Sequence, residues 1–84
     1  MTITMYATAS CPFCRMARAL LERKGVAWDE IAVDHEPERR EEMRRLSGRH
    51  TVPQIFLGEQ AIGGFDELMA LERRGELDGL LAEQ

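Results

Sequence analysis

Residues 2–6, Thr-Ile-Thr-Met-Tyr, alternate polar and apolar and are rich in strand formers, so they are expected to form a β-strand with two differently used faces. From Pro12 the period changes. Met16, Ala17, Leu20 and Leu21 recur at helical spacing, and Gly25 closes the run. Val26 to Val33, carrying Trp28, Ile31 and Val33, reads as a second strand. Pro37 to Ser47 is charged and helical, with Glu41 placed to pair with Arg45 one turn later and Gly48 placed to end the helix. Gln54–Leu57 and Gln60–Ile62 are short strands around Gly58-Glu59, a hairpin signal. Asp66 to Arg74 is expected to be a helix ended by Gly75, and Leu77, Leu80 and Leu81 suggest one more helical turn packing back.

The resulting order is βαβαββα, with no repeat, linker or low-complexity stretch, so residues 1–84 are expected to be a single domain. A strand–helix–strand start implies a parallel pair, and the closing hairpin adds antiparallel strands. The class is α/β: a four-stranded mixed sheet flanked by helices, in a thioredoxin-like layout. Trp28, Met43, Leu46 and Phe56 are expected in its core.

Composition narrows the function. With 44% hydrophobic residues, the 84-residue chain can build one core. Its formal charge of −4 argues against nucleic acid, which needs a net basic face, and offers anionic lipid no polybasic attraction. No apolar run approaches the ~18 residues of a membrane helix, and no charged-then-apolar secretory signal is read at the N-terminus. The expectation is a soluble, cytoplasmic, monomeric protein.

The two cysteines, Cys11 and Cys14, are three positions apart. A bridge between them closes almost no loop and barely constrains the unfolded chain, so it is poor as a structural staple. Redox chemistry, half of a zinc site and a pair of inert buried thiols all fit a bare C-x-x-C. Zinc needs two more ligands, and neither His35 nor His50 has a ligand partner at close spacing, so no metal is expected. The local context favours redox. Ser10-Cys11-Pro12-Phe13-Cys14 follows a strand and opens a helix, and proline is favoured at the first helical position, where its missing N–H would be unpaired anyway. Cys11 then falls at the N-cap, where free backbone N–H groups and the positive helix end favour a thiolate. Such thiols have pKa values lowered from ~8.5 to roughly 3.5–7.5. Cys14, one turn deeper on the same face, suits a resolving thiol within disulfide reach. Arg15 and Arg18 either add positive potential or point into water.

With these residues in view, the sequence resembles the glutaredoxin family, closely the bacterial glutaredoxin 3 type. The likeness runs through CPFC, LLERKGV, REEM, SG, TVPQIFL, IGGFDEL and GELDGLL, nearly the whole chain. It implies a thioredoxin fold that uses glutathione as reducing co-substrate, with no bound cofactor. Phe13 stands where the family most often has tyrosine; the ring can still line a groove, without its hydroxyl. The resemblance implies that Thr51 and Val52 hold the cysteinyl backbone of glutathione in β-like pairing, before a cis Pro53. It also implies that Gly64, the Phe65 N–H and Asp66 hold the γ-glutamyl end. Two glycines before a helix do allow close approach to backbone N–H groups. Read from the sequence alone, TVP is a plain strand entry and Asp66 a helix cap. Thr8 replaces a lysine that many members carry, a loss expected to raise the Cys11 pKa and weaken glutathione binding. Arg49 and Arg40 are the candidates to compensate.

The implied reaction is reduction of glutathione mixed disulfides and protein disulfides through the Cys11 thiolate, with glutathionylated and disulfide-containing proteins as partners. Two alternatives accompany it. A redoxin served by thioredoxin reductase and supplying ribonucleotide reductase has similar size, but lacks the glutathione-holding pattern that IGGFDEL carries. A carrier of an iron–sulfur cluster ligated by glutathione is disfavoured by Pro12, where the resemblance suggests such relatives have Gly or Ser.

Overall fold

The computed structural model describes residues 2–82. Its elements are β1 (Ile3–Ala7), α1 (Pro12–Arg23), β2 (Asp29–Ala32), α2 (Pro37–Ser47), β3 (Gln54–Leu57), β4 (Gln60–Gly63), α3 (Phe65–Arg73) and α4 (Leu77–Ala82). The strands form one sheet in the order β2-β1-β3-β4. β1 runs parallel to β2 and antiparallel to β3, with Met5 opposite Ile55 and Tyr6 opposite Gln54. β3 and β4 form the closing hairpin, with Leu57 opposite Gln60. This is the mixed, helix-flanked sheet that the hydrophobic pattern implied.

The alternation along β1 decides what each sheet face buries. Ile3, Met5 and Ala7 point to one side, where they meet Cys14, Ala17, Leu20 and Leu21 of α1, Leu68 of α3, and Leu77 and Leu81 of α4. Tyr6 points to the other side and packs with Val33, Met43 and Phe56 under α2. Its ring meets Phe56 edge-on at 5.7 Å, and its hydroxyl donates to Glu42 at 2.5 Å, tying α2 to the sheet. On the first side, Lys24 at the end of α1 pairs with Glu72 at 2.8 Å and Asp78 at 2.7 Å, joining three helices.

Five expectations need correction. β2 begins at Asp29, not Val26, because the end of α1 takes the intervening backbone. The Gly25 N–H donates to Glu22 and the Val26 N–H to Leu21, leaving Val26 without a donor for the sheet. Gly25 adopts a positive φ of 73°, which that closure requires. Met16, expected on the buried stripe of α1, is 47% exposed, since it lies between the turns that Cys14 and Ala17 bury. Leu46, expected in the core, is 53% exposed: Met43 is the one buried residue of α2, and Leu46 overhangs a shallow hollow beside Tyr6, Phe56 and Glu59. Trp28 is half-buried against the core from a loop. Glu41 pairs with Arg44 at 2.5 Å, at i,i+3 rather than with Arg45.

Candidate active site

Cys11 occupies the N-cap of α1 in an extended conformation, with Pro12 at the first helical position. The Cys14 N–H donates to its sulfur at 3.3 Å, and the thiol faces the Val52 carbonyl at 3.7 Å. Both cysteines are free; Cys14 is fully buried and Cys11 partly so.

This geometry separates the two thiols chemically. Burial pushes Cys11 up, but hydrogen bonds from the Cys14 thiol, the Cys14 and Phe13 N–H groups and the Thr8 hydroxyl outweigh it and draw the pKa below the ordinary cysteine value. Thr8 lacks the charge of lysine but supplies a hydrogen bond to the Cys11 sulfur. Burial pushes Cys14 up to about 11, so it stays protonated at neutral pH, whereas Cys11 lies below the ordinary cysteine value.

Val52 leads from the nucleophile to a groove of about 290 Å³. Phe13, Thr51, Val52, Pro53, Gly64, Phe65 and Asp66, nominated from three separate segments, all line it. The Val52–Pro53 bond is cis. The Phe13 and Phe65 rings lie 6.3 Å apart across one end. Gln54, buried beneath the turn, donates to the Thr51 carbonyl at 3.0 Å and holds that segment in place. Asp66 is not the helix cap. Glu67 accepts from the Gly64 N–H at 2.7 Å, leaving Asp66 exposed in the first turn on the groove wall.

Of the two candidate arginines, Arg49 lines the groove and pairs with Glu67 at 2.9 Å, whereas Arg40 donates to the His50 carbonyl. The Gly64 N–H, followed by Arg49, holds the Glu67 carboxyl below the usual range, against burial. Sequence reasoning missed Glu67 and Gln54. Gly64 and Glu67 stand at capping-box spacing, a signal that would have found the first. Nothing local marks the second. Arg18 does not point freely into water: it pairs with Glu30 at 2.6 Å. Among the described residues no three His, Cys, Asp or Glu side chains converge as a metal site.

The glutaredoxin family model matches residues 3–62 of the chain. The chain belongs to the glutaredoxin family. It is 54% identical over 80 residues to a glutaredoxin of Pseudomonas aeruginosa, covering 95% of each chain. It is 51% identical over 79 residues to glutaredoxin 3 of Escherichia coli K12, covering 94% of this chain and 95% of that one, which makes it of the bacterial glutaredoxin 3 type. Among solved structures, a buckwheat glutaredoxin–glutathione complex superposes with a TM-score of 0.90 at 27% identity, covering 96% of this chain and 76% of that one. With both cysteines of the motif present, the chain is a dithiol member of the family, a thiol–disulfide oxidoreductase.

Proposed function

We propose that the groove beside Cys11 binds glutathione and that the chain uses it to reduce glutathione mixed disulfides and protein disulfides. The observation that carries this reading is a sulfur with a depressed pKa at a helix N-cap, opening onto a groove lined by backbone and by charges of both signs. Binding of glutathione by the buckwheat relative supports it.

Each part of the tripeptide has a counterpart in the groove. The Val52 backbone offers β-like pairing to the cysteinyl residue, next to the Cys11 sulfur. At the start of α3, the Phe65 and Asp66 N–H groups are among the orphan donors of a helix N-terminus and suit the γ-glutamyl carboxylate, with the Asp66 carboxylate for its ammonium. Arg49 is the cation for the glycine carboxylate, and Phe13 covers the apolar middle.

The Cys11 thiolate attacks the glutathionyl sulfur, and the reduced substrate leaves as a thiol. A second glutathione attacks the Cys11–glutathione disulfide, freeing Cys11 and releasing oxidised glutathione. With a protein disulfide, Cys14 resolves the mixed disulfide on Cys11, leaving a Cys11–Cys14 bridge for two glutathiones to reduce. Glutaredoxin potentials of about −200 to −230 mV lie within reach of the cytosolic glutathione pool, so no resident cofactor is needed. Function as a monomer in the cytoplasm is part of this reading; no helix among the described residues is long and apolar enough to cross a membrane.

A coupled assay with a cysteine–glutathione mixed disulfide, glutathione, glutathione reductase and NADPH tests it. Turnover is expected, to vanish in Cys11→Ser and to persist in Cys14→Ser. Turnover that survives Cys11→Ser would remove Cys11 from the mechanism. No turnover by the reduced wild-type chain would remove glutathione.

A further inference from the structure

The turn entering the active site is held at a single peptide bond. The Thr8 carbonyl accepts from Arg18 Nη2 at 3.2 Å, and on the other side of the same peptide plane the Ala9 N–H donates to Asp34 Oδ2 at 3.0 Å. Both partners are secured by the β2 edge. Asp34 lies two residues beyond that strand. Arg18 makes a fork to Glu30, with Nε at 2.9 and 3.0 Å and Nη2 at 2.6 Å, and Trp28 Nε1 donates to Glu30 as well, at 3.2 Å.

Thr8 in turn serves both thiols: its hydroxyl favours the Cys11 thiolate and its backbone favours the Cys14 thiolate. Arg18 is also one helical turn beyond Cys14, at i+4, where side chains of one face are neighbours. Its guanidinium side chain is 23% exposed, and its charge favours the Cys14 thiolate, as the smallest of the influences on that thiol.

We propose that Arg18, latched by Glu30, is a positioning residue for the resolving half of the reaction, holding the turn that carries Thr8 and setting a positive charge one helical turn from Cys14. The inference rests on the reading of Cys14 as the resolving thiol. In that step the Cys14 thiol gives up its proton and its sulfur attacks Cys11 Sγ of the Cys11–substrate disulfide. The Cys11–Cys14 bond forms, the bond to the substrate sulfur breaks, and the leaving thiolate takes up a proton. Cys14 is oxidised and the substrate sulfur reduced. While Cys14 is losing its proton, the nearby cation lowers the cost of the anion. Glutathione attacking from solvent on the mixed disulfide of the other pathway has no such need.

The test compares two reactions of the full chain: reduction of insulin disulfides, which runs through Cys14, and exchange with a cysteine–glutathione mixed disulfide, which does not. In Arg18→Met the Cys14 thiolate fraction falls while its intrinsic nucleophilicity rises, so the insulin reaction is expected to slow, by about threefold for each tenfold fall in thiolate. Displacement of the turn adds to that fall. The mixed-disulfide reaction is expected to slow less, because Cys11 keeps the Cys14 and Phe13 N–H groups at the helix N-cap when Arg18 is lost. Arg18→Lys, which keeps the charge, should recover most of the rate. Glu30→Gln removes the counter-charge while loosening the latch, so a selective slowing of the insulin reaction in it reports the positioning of the turn rather than the charge, and it serves if Arg18→Met fails to fold. Equal loss in both reactions, or loss in neither, overturns the proposal. If Cys14→Ser leaves insulin reduction intact, Cys14 is not the resolving thiol, and the Arg18 proposal, which rests on that role, falls with it.

Discussion

At the scale of single residues, the chemistry of the chain lies in the difference between two sulfurs about one helical turn apart. Cys11 accepts N–H groups at the open end of α1, while Cys14 is sealed in the core. The sign follows directly: hydrogen bonds to the anion depress one thiol, and burial of the anion raises the other. Alkylation of the reduced protein by iodoacetamide, followed by mass spectrometry across pH, should therefore show two separated profiles. Cys11 is expected to reach its half-maximal rate below the ~8.5 of an ordinary thiol. Cys14 is expected to react only as pH approaches about 11. A shared midpoint near that of free cysteine would contradict the N-cap argument. Much of this was legible in the sequence, since Pro12 after Cys11 marks a helix start whatever the tertiary fold. The roles of Glu67 and Gln54 were not: a glutamate in a first turn and a glutamine in a strand acquire meaning only from what lies opposite them.

At the scale of elements, the joint between β4 and α3 shows how tightly the groove wall is built. Gly63 has φ of 119°, and a Cβ placed there would stand 2.7 Å from Glu67 Oε1 and 2.8 Å from its Cγ. Glu67 cannot retreat without releasing the Gly64 N–H and Arg49. Gly63→Ala is thus expected to cost about 1–3 kcal/mol from backbone strain alone, read as a lower urea midpoint with an unchanged slope. A rise in KM for the glutathione mixed disulfide should accompany it. Unaltered stability would mean that the joint relaxes at no cost. Element boundaries followed the sequence where a residue acts alone, as at Pro12, Pro37 and Gly48. They departed from it at β2, where the backbone of residues 24–26 is shared between a helix end and a strand start and the helix takes it.

Over the whole molecule, the groove depends on packing on both sides of the sheet. α1 and α3 supply Phe13 and Phe65 from one face, while the segment after α2 brings Arg49 and Thr51 from the other side. Met43 is the buried contact of α2, fully enclosed with Tyr6, Val33 and Phe56. Truncation to alanine is expected to cost about 2–5 kcal/mol, a large part of the stability of a domain this size. Thermal unfolding and KM should move together, because the chain leading into Arg49 and Thr51 hangs from that helix; a destabilised protein with unchanged KM would separate the two. By itself the sequence determined the strand and helix order, the mixed character of the sheet and the identity of the nucleophile, because period, proline and glycine act over a few neighbouring residues. Only the tertiary structure decided that Phe13, Arg49, residues 51–53 and residues 64–67 share one groove, that Val52–Pro53 is cis, that Leu46 stays outside the core, and that Arg18 clamps Thr8. These depend on which surfaces meet when the sheet closes, and contacts between residues far apart in the chain leave no period to read.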